Sequence, residues 1–124
     1  MRPLAIEELD RNISDLCVRI NAATYELLIL IREFDQRGGY LKYGLHNTVE
    51  WLAWRCDLTS ATAREKVRVA RALGDLPLVS ESFSTGKLSY SKVRSLTRVA
   101  TEKNEEGLVT FALRHTASQV AEYC

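Results

Sequence analysis

The sequence predicts an all-α protein, with a long N-terminal helix followed by a compact multi-helix bundle that contains a helix-turn-helix. Three observations lead there. Apolar residues recur at steps of three and four through most of the chain, the period of one face of an α-helix. The 124 residues include only two prolines and six glycines, most of them between the periodic segments, where short loops would join helices. Residues suited to capping helix N-termini stand just ahead of most of those segments.

The length allows one domain with one core. With 46% hydrophobic and 27% charged residues, the chain is too apolar to be disordered. Residues 1–37, a heptad-patterned arm, and residues 38–124, a helix-turn-helix-like domain, are expected to form one folding unit.

From Leu4 to about Arg37 the seam runs Ile6, Leu9, Ile13, Leu16, Ile20, Ala23, Leu27, Leu30, Phe34 without a break. Such a helix spans about 45 to 50 Å, more than a domain this small needs to cover its core. Cys17, Leu28, Ile29 and Ile31 widen the stripe towards the C-terminal half, so that half is expected to serve both the core and a partner. Ile6, Leu9, Ile13, Leu16 and Ile20 are the candidate dimerisation residues of a homodimer arm, with docking on the chain's own later helices as the competing use of the seam.

Gly38-Gly39 should end this helix, ahead of a loop anchored by Tyr40 and Tyr43. Asn47 and Glu50 have capping-box spacing for a second helix through Trp51, Leu52 and Trp54 to Cys56. Both tryptophans read as core and interhelix anchors. Thr59 can cap a third helix reaching about Gly74, and Pro77 suits the first turn of a fourth ending at Gly86. Ser89 or Ser91 can open a fifth helix to Ala100. Thr101 is the expected cap of a sixth helix to Arg114, and Thr116 or Ser118 starts a short seventh.

Residues 52–67 have helix-turn-helix spacing, with small Ala53 at the expected crossing, a tight turn, apolar Leu58 and a capped second helix. Asp57 stands where the motif prefers glycine and Lys66 where an apolar residue is common. Aspartate tolerates a left-handed turn, and lysine can snorkel. Ala63, Val67 and Ala70 form an inward stripe, and Arg64, Arg68 and Arg71 stack at i, i+4, i+7 on another face. A guanidinium stripe suits phosphates and guanine edges because its donors form a planar fork. Thr59, Ser60 and Thr62 would lie near the backbone at the helix start. A second stripe joins Arg94 and Arg98, with Lys87 just before and the hydroxyls of Ser89, Tyr90 and Ser91 at the helix start. A plain helical hairpin with solvated basic faces fits the same spacing.

Net charge is only +1, but residues 1–37 carry −2 and residues 38–124 carry +3. Cys17, Cys56 and Cys124 are odd in number and widely spaced, which suggests neither a disulfide framework nor a zinc site and fits a reducing cytoplasm. The N-terminal stretch lacks the apolar core of a signal peptide, and no run approaches a membrane span. His46 and His115 invite a nuclease reading, yet no second histidine at ligand spacing, paired carboxylates or glycine-rich phosphate loop accompanies them. No catalytic residue, metal or cofactor is expected.

The segments Phe34-Asp35, Gly38-Gly39-Tyr40, Trp51 to Cys56 and Arg68 to Leu73, with the later Gly86 to Arg94 and Leu96 to Thr101, resemble the helical domain of unknown function that precedes HNH endonuclease domains. That resemblance implies a nuclease domain further downstream, outside this chain. Residues 48–121 more distantly resemble the DNA-binding domain of ParB-type partition proteins, through the helix-turn-helix, the Leu76-Pro77 step, Gly86 to Ser89, and Thr116 to Val120. It implies that Ser60 to Arg68 is a recognition helix and that the region after Lys87 clamps the backbone. Double-stranded DNA is therefore the expected partner of a dimeric, non-catalytic module; the alternative is a protein-interaction or oligomerisation module without nucleic-acid binding.

Overall fold

The computed structural model describes residues 2–124. Seven α-helices follow one another: α1 (Ile6–Gln36), α2 (Thr48–Arg55), α3 (Ser60–Leu73), α4 (Pro77–Ser84), α5 (Tyr90–Val99), α6 (Glu105–Arg114) and α7 (Ala117–Tyr123), with a 3-10 turn at Gly39–Tyr43 between the first two. No strand occurs among the described residues, so the chain is all-helical.

The helix ends follow local chemistry. Gly38 takes a left-handed φ of 63°, which stops α1 and turns the chain into the 3-10 segment. Asn47 Oδ1 accepts from the Glu50 amide at 2.8 Å, while the Glu50 carboxylate reaches past the cap to the His46 amide at 3.1 Å. Thr59, Ser89 and Thr116 each cap the following helix through the side-chain oxygen, and Pro77 sits in the first turn of α4. The sixth helix starts three residues later than a cap at Thr101 would place it. Asn104 closes a turn there, accepting from the Thr101 amide at 2.6 Å and donating to the Val99 carbonyl at 3.0 Å, so residues 101–104 stay outside the helix.

The core is built around α3, which packs against α1, α2, α4 and α5. Its Ala63, Val67, Val69, Ala70 and Leu73 are buried together with Leu52, Val79, Phe83, Val93, Leu96, Ala112 and Val120 from the other helices and Leu88 from the turn between α4 and α5. Burying these side chains supplies the main driving force for the fold, at roughly 25 cal/mol per Å² of apolar surface. A buried carboxylate also takes part: Glu105, 2% exposed, accepts from the Leu78 and Val79 amides at 3.1 and 3.3 Å and so caps the start of α4 from α6.

Helix α1 contributes to this core only through its second half, and not through the heptad seam. Leu28 and Ile31 are buried, whereas the seam residues Leu27 and Leu30 are 43% and 65% exposed. Every residue from Leu9 to Ile20 is exposed. At 1.5 Å per residue α1 is about 46 Å long, and its first half overhangs the bundle. Trp51 is half-buried and packs on Phe34 with ring centroids 4.1 Å apart, but Trp54 is 61% exposed and does not serve as a core anchor. The buried positions of α2 are Thr48 and Leu52, and a residue two places beyond Leu52 points about 200° away around the helix.

Candidate nucleic-acid interface

The turn between α2 and α3 spans residues 56–59, and Asp57 adopts a left-handed φ of 55° in it. An aspartate tolerates that conformation better than most side chains. Thr59 then caps α3, with its hydroxyl accepting from the Thr62 amide at 3.2 Å, and Ser60 and Thr62 are exposed in the first turn. Lys66 does not carry its head out to water: it is half-buried, and its ammonium packs over the Tyr90 ring, 3.7 Å from the centroid. Burial and the neighbouring Arg94 charge lower the Lys66 pKa, and burial raises that of the Tyr90 hydroxyl.

Arg64, Arg68 and Arg71 line one cleft of about 440 Å³ with Asn47, Thr48, Val49 and Val67, between the start of α2 and the outer face of α3. They differ in their partners. Among the described residues no carboxylate lies within ion-pair distance of exposed Arg64. Arg71 grips Asp35 of α1 with two hydrogen bonds, at 2.8 and 3.1 Å, and Thr48 donates to the same carboxylate at 2.6 Å. The Arg71 guanidinium, aided by the Thr48 hydroxyl, holds the Asp35 carboxyl below the usual carboxylate range against the opposing effect of burial.

Arg68 turns along α3 to Glu65, at 2.7 Å, and donates across to the Arg94 carbonyl at 3.1 Å. The same Glu65 oxygen accepts from Arg94 at 3.3 Å and from Arg98 at 3.1 Å, both on α5. One carboxylate thus gathers three guanidinium groups, which hold its pKa down to about 2, Arg68 foremost. The arginine side chains remain 34%, 46% and 57% exposed, so each keeps donors facing water. The two basic stripes that the sequence reads separately are therefore one surface, with Arg68 belonging to both the cleft and the Glu65 cluster. Lys87 is exposed in the turn before α5, and the Ser89 hydroxyl is already engaged in capping that helix.

Glu65 and Asp35 are the site residues that sequence reasoning missed. The i, i+3 spacing of Glu65 and Arg68 was available as a signal. Nothing local links Asp35 to Arg71, which lie 36 residues apart.

The two histidines make only short-range contacts. His46 Nδ1 lies 3.2 Å from the Glu50 carboxylate, and His115 stacks on Phe111 with centroids 3.8 Å apart. Among the described residues no three His, Cys, Asp or Glu side chains come together as a metal site. Nor is any helix among them long and apolar enough to cross a membrane.

With this geometry in place, comparison with known proteins finds one family, described as a domain of unknown function (DUF222), whose sequence pattern matches residues 10–123. The chain belongs to that family. No curated protein and no solved structure matches it. The DUF222 match takes in the whole basic surface and all but the first turn of α1, so the arginine surface lies wholly within the domain and the seam of α1 does from Ile13 onward.

Proposed function

We propose that this DUF222 domain is a non-catalytic, dimeric DNA-binding module that acts for an HNH-type nuclease. The observation that carries the reading is the junction at Glu65, which joins the arginines of α3 and α5 into one continuous basic surface. Docked on a duplex, Arg64, Arg68 and Arg71 would meet the groove or its phosphates, with Thr59, Ser60 and Thr62 beside the backbone at the start of α3. Lys87, Arg94 and Arg98 would add phosphate contacts. Helices α2 and α3, with the left-handed Asp57 turn between them, support a helix-turn-helix reading and the distant resemblance to ParB-type domains. The nuclease association rests on the resemblance of the sequence to domains that precede HNH endonucleases.

Fluorescence anisotropy of a labelled mixed-sequence duplex at two salt concentrations tests this. The expected result is binding that weakens steeply with salt, because each phosphate contact releases a counterion. Replacing Arg64 and Arg68 with Ala should reduce both the affinity and the salt slope while the domain stays folded. An unchanged isotherm for the folded double variant would overturn the assignment of α3.

A second reading, an interaction module with no nucleic-acid binding, is favoured by a different observation: carboxylates already partner Arg68, Arg71, Arg94 and Arg98. On this reading the exposed seam of α1 makes the functional contact. Absence of DNA binding at low salt, together with self-association abolished by polar replacements at Ile13 and Ile20, would select it.

A further inference from the structure

The exposed seam of α1 has two distinct halves. From Ile6 to Ile20 the seam is uncovered, with Ile6, Ile13 and Ile20 at 75%, 61% and 56% exposure. Further on, Leu27, Leu30 and Phe34 form one wall of an open apolar groove of about 520 Å³, whose other side includes Tyr43 and Trp51. The first half is a convex apolar ridge without a floor, and the second is a concave apolar floor without a ridge.

We infer that two copies of the chain pair antiparallel through α1, the overhanging half of each helix lying in the groove of the other. This rests on the dimeric part of the proposed function and adds to it the direction of pairing and the surface used. The seam alternates in steps of three and four, so a two-fold axis crossing α1 between Asn21 and Ala22 brings apolar residue to apolar residue along the whole overlap. Leu9 of one copy meets Phe34 of the other, Ile13 meets Leu30, Leu16 meets Leu27, and Ile20 meets Ala23. Each layer occurs twice.

Charge agrees with this direction. The acidic first turns of α1, with Glu7, Glu8 and Asp10, arrive at the end of the groove where Arg37 and Lys42 outnumber the one acidic lining residue, Glu33. Beside the seam, exposed Arg19 of one copy falls opposite exposed Glu26 of the other, again twice. Opposite charges at such flanking positions set partner and orientation in helix pairs. In a parallel, in-register pair each seam residue would meet itself. Ridge would then face ridge and groove face groove, leaving neither groove a helix to fill it.

The test combines mass and cross-linking on the full chain, with the exposed Cys17, Cys56 and Cys124 replaced by Ser. Sedimentation equilibrium should give twice the 14.1 kDa chain mass, and the Ile13→Asp/Leu30→Asp variant, both sites being exposed, should fall to the single mass with an unchanged circular dichroism spectrum. On mild oxidation, Arg19→Cys/Glu26→Cys should link into covalent dimers, whereas Leu16→Cys alone should not. Cross-linking of Leu16→Cys without the Arg19/Glu26 pair would mean parallel pairing and overturn the inference, while leaving self-association through α1 intact. A dimer that neither variant links would overturn it in favour of another surface. A monomer at 100-fold dilution and at high concentration alike would remove the inference and the dimeric half of the proposed function together. DNA binding is judged separately by its salt dependence.

Discussion

Arg71 and Asp35 hold each other through two hydrogen bonds, Nε to Oδ2 at 2.8 Å and Nη2 to Oδ1 at 3.1 Å, and so fasten α3 to the last turns of α1. The pair is lopsided. The Arg71 side chain is 65% exposed, but that of Asp35 is 13% exposed, so water screens the arginine far better than the aspartate.

Loss of Arg71 would leave the Asp35 carboxylate with only the Thr48 hydroxyl to hold it. Arg71→Ala should therefore destabilise the domain by about 1 to 2 kcal/mol, more than an open surface ion pair contributes and less than a fully buried one. Arg64→Ala, on the same cleft but without a carboxylate partner, should stay within about 0.5 kcal/mol of the parent. Urea denaturation of the two variants separates the structural arginine from the free one. Equal losses would mean that the Asp35 pair carries no stability.

Glu65 gives the fold a defined acid sensitivity. Its pKa is about 2 in the folded protein against an ordinary 4.5, so the unfolded chain takes up the proton first as pH falls. Its stabilisation is complete above about pH 4.5 and disappears as pH drops towards 2. With three partly exposed partners screening one another, about 1 to 2 kcal/mol is at stake. Glu65→Gln should lose that amount at neutral pH, and its stability should be flatter than the parent's between pH 4.5 and pH 2. Parallel pH profiles for the two proteins in guanidinium denaturation would contradict the role given to Glu65.

The sequence announced helices better than it announced what covers them. Caps at Asn47 and Thr59, the stop at Gly38 and the turn at Asp57 depend on a few neighbouring residues and are legible, and the caps of α5 and α7 are Ser89 and Thr116 out of the two candidates that the sequence offers for each. Periodicity marks an apolar stripe but not its partner, so the cleanest heptad seam of the chain lies in water while Leu28 and Ile31, beside it, enter the core. Trp54 misled for the same reason: a large apolar residue within a short helix carries no sign of which face it occupies. The arginine stripes are legible from their helical spacing, but the carboxylates that pair with them are not, because the contacts of Glu65 with Arg94 and of Asp35 with Arg71 cross from one helix to another.

Leu28 and Leu30 make the division of α1 measurable. They are two residues apart, of the same type, and 0% and 65% exposed. Leu28→Ala should cost about 2 to 5 kcal/mol, the range for emptying a buried leucine site. In dilute solution, Leu30→Ala should cost less than about 0.5 kcal/mol. If chemical denaturation at high protein concentration shows a larger loss for Leu30→Ala than at low concentration, the residue stabilises an assembly and not the single chain, because association adds stability by mass action.

Gly86 fixes where the overhang of α1 begins, and its replacement tests that placement. It lies in the turn from α4 to α5 with φ at 80°, and Asn21 of α1 donates to its carbonyl at 3.1 Å. A methyl group there would come within 2.4 Å of the Val18 carbonyl oxygen, a backbone atom that cannot swing aside. Gly44 also has positive φ, at 72°, but a Cβ there meets nothing within 4 Å. Gly44→Ala should therefore show only the cost of a left-handed alanine, about 1 to 2 kcal/mol. Gly86→Ala adds a clash that must push the turn off α1, and should cost about 2 to 4 kcal/mol. Amide hydrogen exchange locates the damage: faster exchange confined to the α4–α5 turn and to α1 around Val18 to Thr24 is expected. Equal stability of the two alanine variants would mean that the turn does not press on α1 at Val18, and that the helix leaves the bundle at a later residue.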